Sequence, residues 1–140
     1  MGALMDTLQR AMAASERRDL AAYLDCLTDD IEYKLHVNAR PLNGKSWIER
    51  FLRKYWDTMT DTVWRIDRFA ENGNVLMVEG IEEYTVKATG KRVLHPYMGI
   101  CEFRDGRIAK MRDYFEMDPP ELTEKALADG AIGARGAPSG

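Results

Sequence analysis

Apolar positions recur with a helical period up to about Tyr55, interrupted by one short alternating segment, and from residue 61 to 117 the period is two. Leu4, Leu8 and Met12 form one stripe over residues 3–16. Leu20, Tyr23, Leu24 and Leu27 repeat the i, i+3, i+4, i+7 spacing in a second helix, with Asp19 as its N-cap. After Asp29-Asp30, the residues Ile31, Tyr33 and Leu35 alternate as a strand does, until Pro41 and Gly44 break the pattern. Ser46 and Glu49 have the spacing of a capping box. Ile48, Phe51, Leu52 and Tyr55 then give a third helix its apolar face, with Arg50, Arg53 and Lys54 on the solvated side. Strands are predicted over 61–71, 74–87, 91–104 and 107–117, punctuated by Asn72-Gly73, Thr89-Gly90 and Asp105-Gly106. A weaker helical stretch follows Asp118-Pro119-Pro120 and runs to about Ala128, so one domain is expected over 1–128. The Gly-, Ala-, Pro- and Ser-rich residues 129–140 are predicted to be a disordered tail.

Helices first and a long meander after predict an α+β fold, with three N-terminal helices packed on one face of a strongly curved antiparallel sheet. A bent sheet closed on one side by helices encloses a pocket, and function is to be sought there.

The face parity of the strands puts ionisable residues among apolar ones. In the last strand Asp113 shares a face with Ala109, Met111, Phe115 and Met117. Glu82 falls in the set Leu76, Val78, Gly80, Glu82, Tyr84 and Val86, and His95 in the set Val93, His95, Tyr97, Gly99, Cys101 and Phe103. Burying a lone charge is costly, so such groups carry shifted pKa values or strong partners. A two-residue Thr89-Gly90 loop pairs Tyr84 with His95 and Glu82 with Tyr97. A three-residue Arg104-Asp105-Gly106 loop pairs Phe103 with Arg107 and Tyr97 with Asp113. A two-residue Asp105-Gly106 turn, the alternative, would send Asp113 to the other face, away from the side on which Met111 and Phe115 are best buried. The preferred registers therefore predict one row of Glu82, Tyr97 and Asp113 across the sheet, with Tyr84, His95 and Phe115 beside it. Tyr33 joins that wall from the first strand, and Gly80 either bends its strand or keeps the wall low for a ligand. His36 falls on the polar face of its strand, and Trp47, Trp56 and Trp64 read as core or interface bulk. Asp113 and a protonated His95 are expected to titrate as a coupled pair.

Charge narrows the function classes. The net charge of −3 argues against a nucleic-acid groove or a polybasic membrane surface, which need excess positive charge. No apolar run approaches the ~20 residues of a membrane helix, and the N-terminus lacks a signal-peptide pattern. Cys26 and Cys101, far apart and without metal-ligand spacing, read as buried free thiols, so a cytoplasmic location is expected. With no phosphate loop and no metal spacing, no cofactor or metal is expected. Leu94, Met98 and Ile100 make the outer face of strand 91–104 apolar as well, which predicts a homodimer through the back of the sheet.

Three helices followed by a meander ending Asp105-Gly106-Arg107-Ile108-Ala109-Lys110-Met111-Arg112-Asp113-Tyr114-Phe115-Glu116 resemble the SnoaL-like branch of the nuclear transport factor 2 (NTF2-like) superfamily of cone-shaped domains. The limonene-1,2-epoxide hydrolases look nearest, since their final strand carries a similar Arg-Asp-Tyr-Phe-Asp. The resemblance spans about residues 5–117. It implies that Asp113 is the family's water-activating acid, that Tyr33 helps hold that water, and that Tyr84, His95, Tyr97 and Phe115 line the cavity. Where the hydrolases carry Arg-x-Asp this chain has Gly80-Ile81-Glu82, and where they carry an Asn it has Leu35. The leading expectation is a cofactor-independent acid–base enzyme, a cyclase or isomerase acting on a small, mostly apolar, oxygenated metabolite by proton transfer or intramolecular ring opening or closure. In it Asp113 is the base, Glu82 or His95 the proton donor, and Tyr33 and Tyr97 orient the substrate oxygen. The alternatives are an epoxide hydrolase with Glu82 as acid, and a non-catalytic small-molecule-binding or dimerisation module.

Overall fold

The computed structural model describes residues 2–35 and 39–115. Their order is α1 (Ala3–Glu16), α2 (Leu20–Asp25), β1 (Leu27–Lys34), β2 (Leu42–Asn43), α3 (Lys45–Thr58), β3 (Met59–Asn72), β4 (Val75–Val86), β5 (Arg92–Arg104) and β6 (Arg107–Tyr114). His36, the strand end expected at Glu116–Met117, the helical stretch to Ala128 and the 129–140 tail lie outside the described residues.

The helices follow their apolar stripes. α1 buries Met5, Leu8, Ala11 and Met12 against the sheet. Asp19 caps α2 as its position predicts, accepting the Ala22 N–H at 3.1 Å. α2 ends at Asp25, however, and Leu27, expected in the helix, opens β1, where it pairs with Ile108. The predicted capping box is also corrected. α3 starts at Lys45 with Gly44 as its cap, at φ 92°, so Ser46 lies inside the helix and caps nothing. β2 pairs with β1, and Gly44 N–H donates to Ile31 O at 2.7 Å, so a tertiary tie sets where the helix begins.

The sheet has six strands in the order β2-β1-β6-β5-β4-β3. The meander β3–β6 is antiparallel as expected, but β1 adds to β6 in parallel. No hairpin joins β1 to β6, and so nothing local imposes antiparallel pairing on them. The sheet curves without closing into a barrel, and the helices cover one of its faces. There Leu76, Val78, Cys101, Phe103, Ile108 and Met111 pack with Met5, Leu8, Tyr23 and Leu52 in one core. Cys26 and Cys101 are both buried free thiols within it.

Two registers differ from the expected ones. The β4–β5 loop has four residues, Lys87–Gly90, closed by Val86 N–H to Lys91 O at 2.8 Å and by Gly90 N–H to Val86 O at 2.7 Å. The pairing slips by two residues, which preserves every face. Glu82 now lies opposite His95, Gly80 opposite Tyr97, and Tyr84 opposite Val93. The β5–β6 loop is the two-residue Asp105-Gly106, with φ of 52° and 76°, not the three-residue loop favoured on sequence grounds. Left alone, that turn would point Asp113 outward. A β-bulge intervenes: Phe103 pairs with Ile108 but Glu102 with Lys110, so Ala109 is an extra residue and the parity is restored. Asp113 therefore faces inward opposite Gly99, and the single row of Glu82, Tyr97 and Asp113 does not form.

Candidate active site

Inward parity on β1, β4 and β6 and the apolar face of α3 converge on one cavity of about 230 Å³. It is lined by Ser15, Tyr23, Tyr33, Leu35, Phe51, Leu52, Tyr55, Trp64, Glu82, Asp113 and Phe115. Four of the residues singled out in the sequence are among them: Tyr33, Glu82, Asp113 and Phe115. Tyr84, His95 and Tyr97 stand behind the lining instead. The Tyr84 ring meets Tyr55 at 6.4 Å, the His95 ring meets Phe115 at 5.2 Å, and Tyr97 accepts the Trp64 indole N–H. Gly80 faces β3 and not the cavity. A Cβ there would stand 2.0 Å from the Arg65 carbonyl oxygen, so this glycine admits the backbone where β3 bulges between Ile66 and Arg68.

Each carboxyl has its own tyrosine. Tyr33 Oη donates to Asp113 Oδ2 at 2.6 Å, and Tyr55 Oη donates to Glu82 Oε1 at 2.9 Å. Tyr55 escaped the sequence reading as a site residue because a Tyr on a helical apolar stripe reads as core. Trp64 escaped it too, although it pairs with Glu82 across β3 and β4. The one signal for Tyr55 was a hydroxyl on an otherwise apolar face.

Burial raises Asp113 from its ordinary 3.8 to about 7; the Tyr33 hydrogen bond opposes that rise and the Glu82 charge adds to it. Burial also raises Glu82, against the pull of the Tyr55 hydrogen bond and the Arg18 charge, both of which favour the ionised form. The neighbouring charge that acts on Asp113 is thus that of Glu82. His95 is lowered by burial, and its Nε2 lies 3.0 Å from the Tyr84 hydroxyl. Gly99 contributes by having no side chain, since a Cβ there would stand 3.2 Å from Asp113 Oδ1. The result is a pair of tyrosine-gripped carboxyls in an aromatic cavity, both raised by burial.

Comparison with known proteins supports this architecture. No curated protein matches the chain. Among solved structures, an NTF2-like protein of unknown function from Burkholderia pseudomallei shares 22% identity, with 90% of this chain and 96% of that one covered at a TM-score of 0.75. An LEH-like epoxide hydrolase of M. tuberculosis shares 22% identity over 92% of both chains at a TM-score of 0.73. A protein from Xanthomonas campestris described as a polyketide cyclase shares 20% identity, covering 82% of this chain and 91% of that one at a TM-score of 0.69. At such identities these likenesses carry the fold and nothing finer. A family model described as a SnoaL-like domain matches residues 8–111. Because that match runs from α1 into β6, the chain belongs to the SnoaL-like domain family.

Proposed function

We propose that this chain is a cofactor-independent acid–base enzyme that isomerises, cyclises or ring-opens a small, mostly apolar, oxygenated molecule. The observation that carries the reading is the pair Glu82 and Asp113, both raised by burial, in one apolar cavity. Proton transfer needs one charged and one protonated group at the same time. Tyr55 and the Arg18 charge favour the anion on Glu82, while the Glu82 charge favours the proton on Asp113. The resting order in this reading is Glu82 as base and Asp113 as acid, where the sequence suggested Asp113 as base and Glu82 or His95 as donor. Substrate binds with its oxygen toward Asp113, Glu82 accepts a proton from carbon or hydroxyl, and Asp113 gives one to the oxygen that gains charge. Tyr33 and Tyr55 hold the two carboxyls in place. His95 lies behind Phe115 and supports the wall.

The second reading is epoxide hydrolysis, favoured by the LEH-like structural neighbour and by the Tyr33–Asp113 pair. Turnover of limonene 1,2-epoxide in water labelled at oxygen separates the two. Label in a diol product supports hydrolysis, whereas unlabelled isomers support proton transfer alone. Wild-type turnover by Asp113→Asn would overturn both and leave a binding module.

We also propose that two copies associate through the uncovered face of the sheet. Leu94 and Met98 are each about half exposed, and Met77, Ile81, Ile100 and Tyr114 continue the same surface across β4, β5 and β6. This apolar stripe, interleaved with Glu79, Glu83 and Arg112, is expected to be covered.

A further inference from the structure

The cavity lining is one-sided in its chemistry. Its acids are Glu82 and Asp113, and no Lys, Arg or His lines it among the described residues. The hydroxyls of Tyr33 and Tyr55 already donate to those acids, so they offer the cavity oxygen lone pairs. The Trp64 N–H is engaged with Tyr97. Arg18, whose charge reaches Glu82, stands outside the lining, where Ser15 O, Met59 O and Thr62 Oγ1 accept from its guanidinium and Trp56 lies beneath it.

Two further observations point to a ligand. Tyr23 is 2% exposed and lines the same cavity, and its hydroxyl has no hydrogen bond among the described residues, so it opens onto the cavity without a protein partner. The remaining walls are largely aromatic, from Phe51, Trp64, Phe115 and the tyrosines. An aromatic ring carries negative electrostatic potential over its face, where it attracts cations.

We propose that the cavity binds a small organic monocation, a protonated amine or a quaternary ammonium, with its charged head between Glu82 and Asp113 and its carbon skeleton on the aromatic walls. At about 230 Å³ the space is below the ~300–1,000 Å³ of drug-sized sites, so the skeleton is no larger than about one ring. The inference shares its cavity with the acid–base reading but goes beyond it, because binding uses the carboxyls only as charge.

The test is calorimetric titration with three probes of one shape: benzylamine, benzyl alcohol and benzoate. Benzylamine should bind at least ten-fold more tightly than benzyl alcohol, and benzoate more weakly than either. In the Glu82→Gln, Asp113→Asn double variant the amine should lose its advantage while the alcohol still binds, which also reports an intact cavity. If that variant does not fold, Glu82→Gln alone should cut the advantage several-fold. The alcohol matching the amine in the wild type, or an advantage surviving the substitutions, would overturn the proposal. Turnover of a neutral substrate without amine preference would leave the acid–base reading standing alone, and amine preference without any turnover would leave only this one.

Discussion

Asp113 concentrates the residue-scale physics. In the folded chain it holds its proton up to about pH 7, against an ordinary 3.8. The native state therefore binds a proton that the unfolded chain has already released, and stability falls as pH rises between those values. This contribution is complete below about 3.8 and lost once pH has passed about 7, a change on the order of 4 kcal/mol. Asp113→Asn removes it. The variant should gain stability relative to the wild type from pH 4 to pH 8 in urea melts, and a difference that stays flat with pH would contradict the burial argument. On catalysis the same substitution should cost about 10²–10⁴-fold. If Asp113 is the acid, wild-type kcat/KM should decline above about pH 7, and Asp113→Asn should erase that decline along with most of the rate. Tyr33→Phe deletes the hydrogen bond that favours the charged carboxylate, so it should move the decline to higher pH.

Among the elements, the glycines of β4 and β5 do different things. Gly80 admits the β3 backbone, and a methyl there would meet Arg65 O at 2.0 Å and the Arg65 carbonyl carbon at 3.0 Å. Backbone has little freedom to retreat, so Gly80→Ala should cost about 1–3 kcal/mol or more in a denaturant titration. Gly99→Ala meets the Asp113 carboxyl at 3.2 Å, tight but movable, so its main effect should be on turnover and not on folding. Element types and face parity could be read from the sequence because they depend on local period. Loop lengths could not. Thr89-Gly90 sits inside a four-residue loop, and Asp105-Gly106 makes a two-residue turn whose parity error is cancelled at Ala109. The bulge leaves a single mark, Ile108, which by period two falls with Lys110 and Arg112 yet is buried because Ala109 resets the parity, and one residue is too little to fix a loop length.

For the whole molecule, the uncovered sheet face sets the assembly prediction. Light scattering at micromolar concentration should give about twice the 16.0 kDa chain mass. Met98→Asp, which plants a charge opposite Tyr114 in the middle of the apolar surface, should shift the mass toward a single chain without disturbing the cavity on the other side. A wild-type mass of one chain would mean that this face has no second copy on it.

By itself the sequence determined the order of helices and strands, the inward face of each strand and hence the presence of Tyr33, Glu82, Asp113 and Phe115 on one wall. Those properties follow from spacing along a few neighbouring residues. The tertiary structure decided which groups meet. Tyr55 reaches Glu82 from α3, Trp64 reaches Tyr97 from β3, and β1 lies parallel to β6 so that Tyr33 can donate to Asp113. Each contact joins segments that are distant in the chain or set in register by a loop, and each exists only because the whole core is buried best in one arrangement. Local spacing carries no record of that competition, so the acids were visible in the sequence while the hydroxyls that grip them were not.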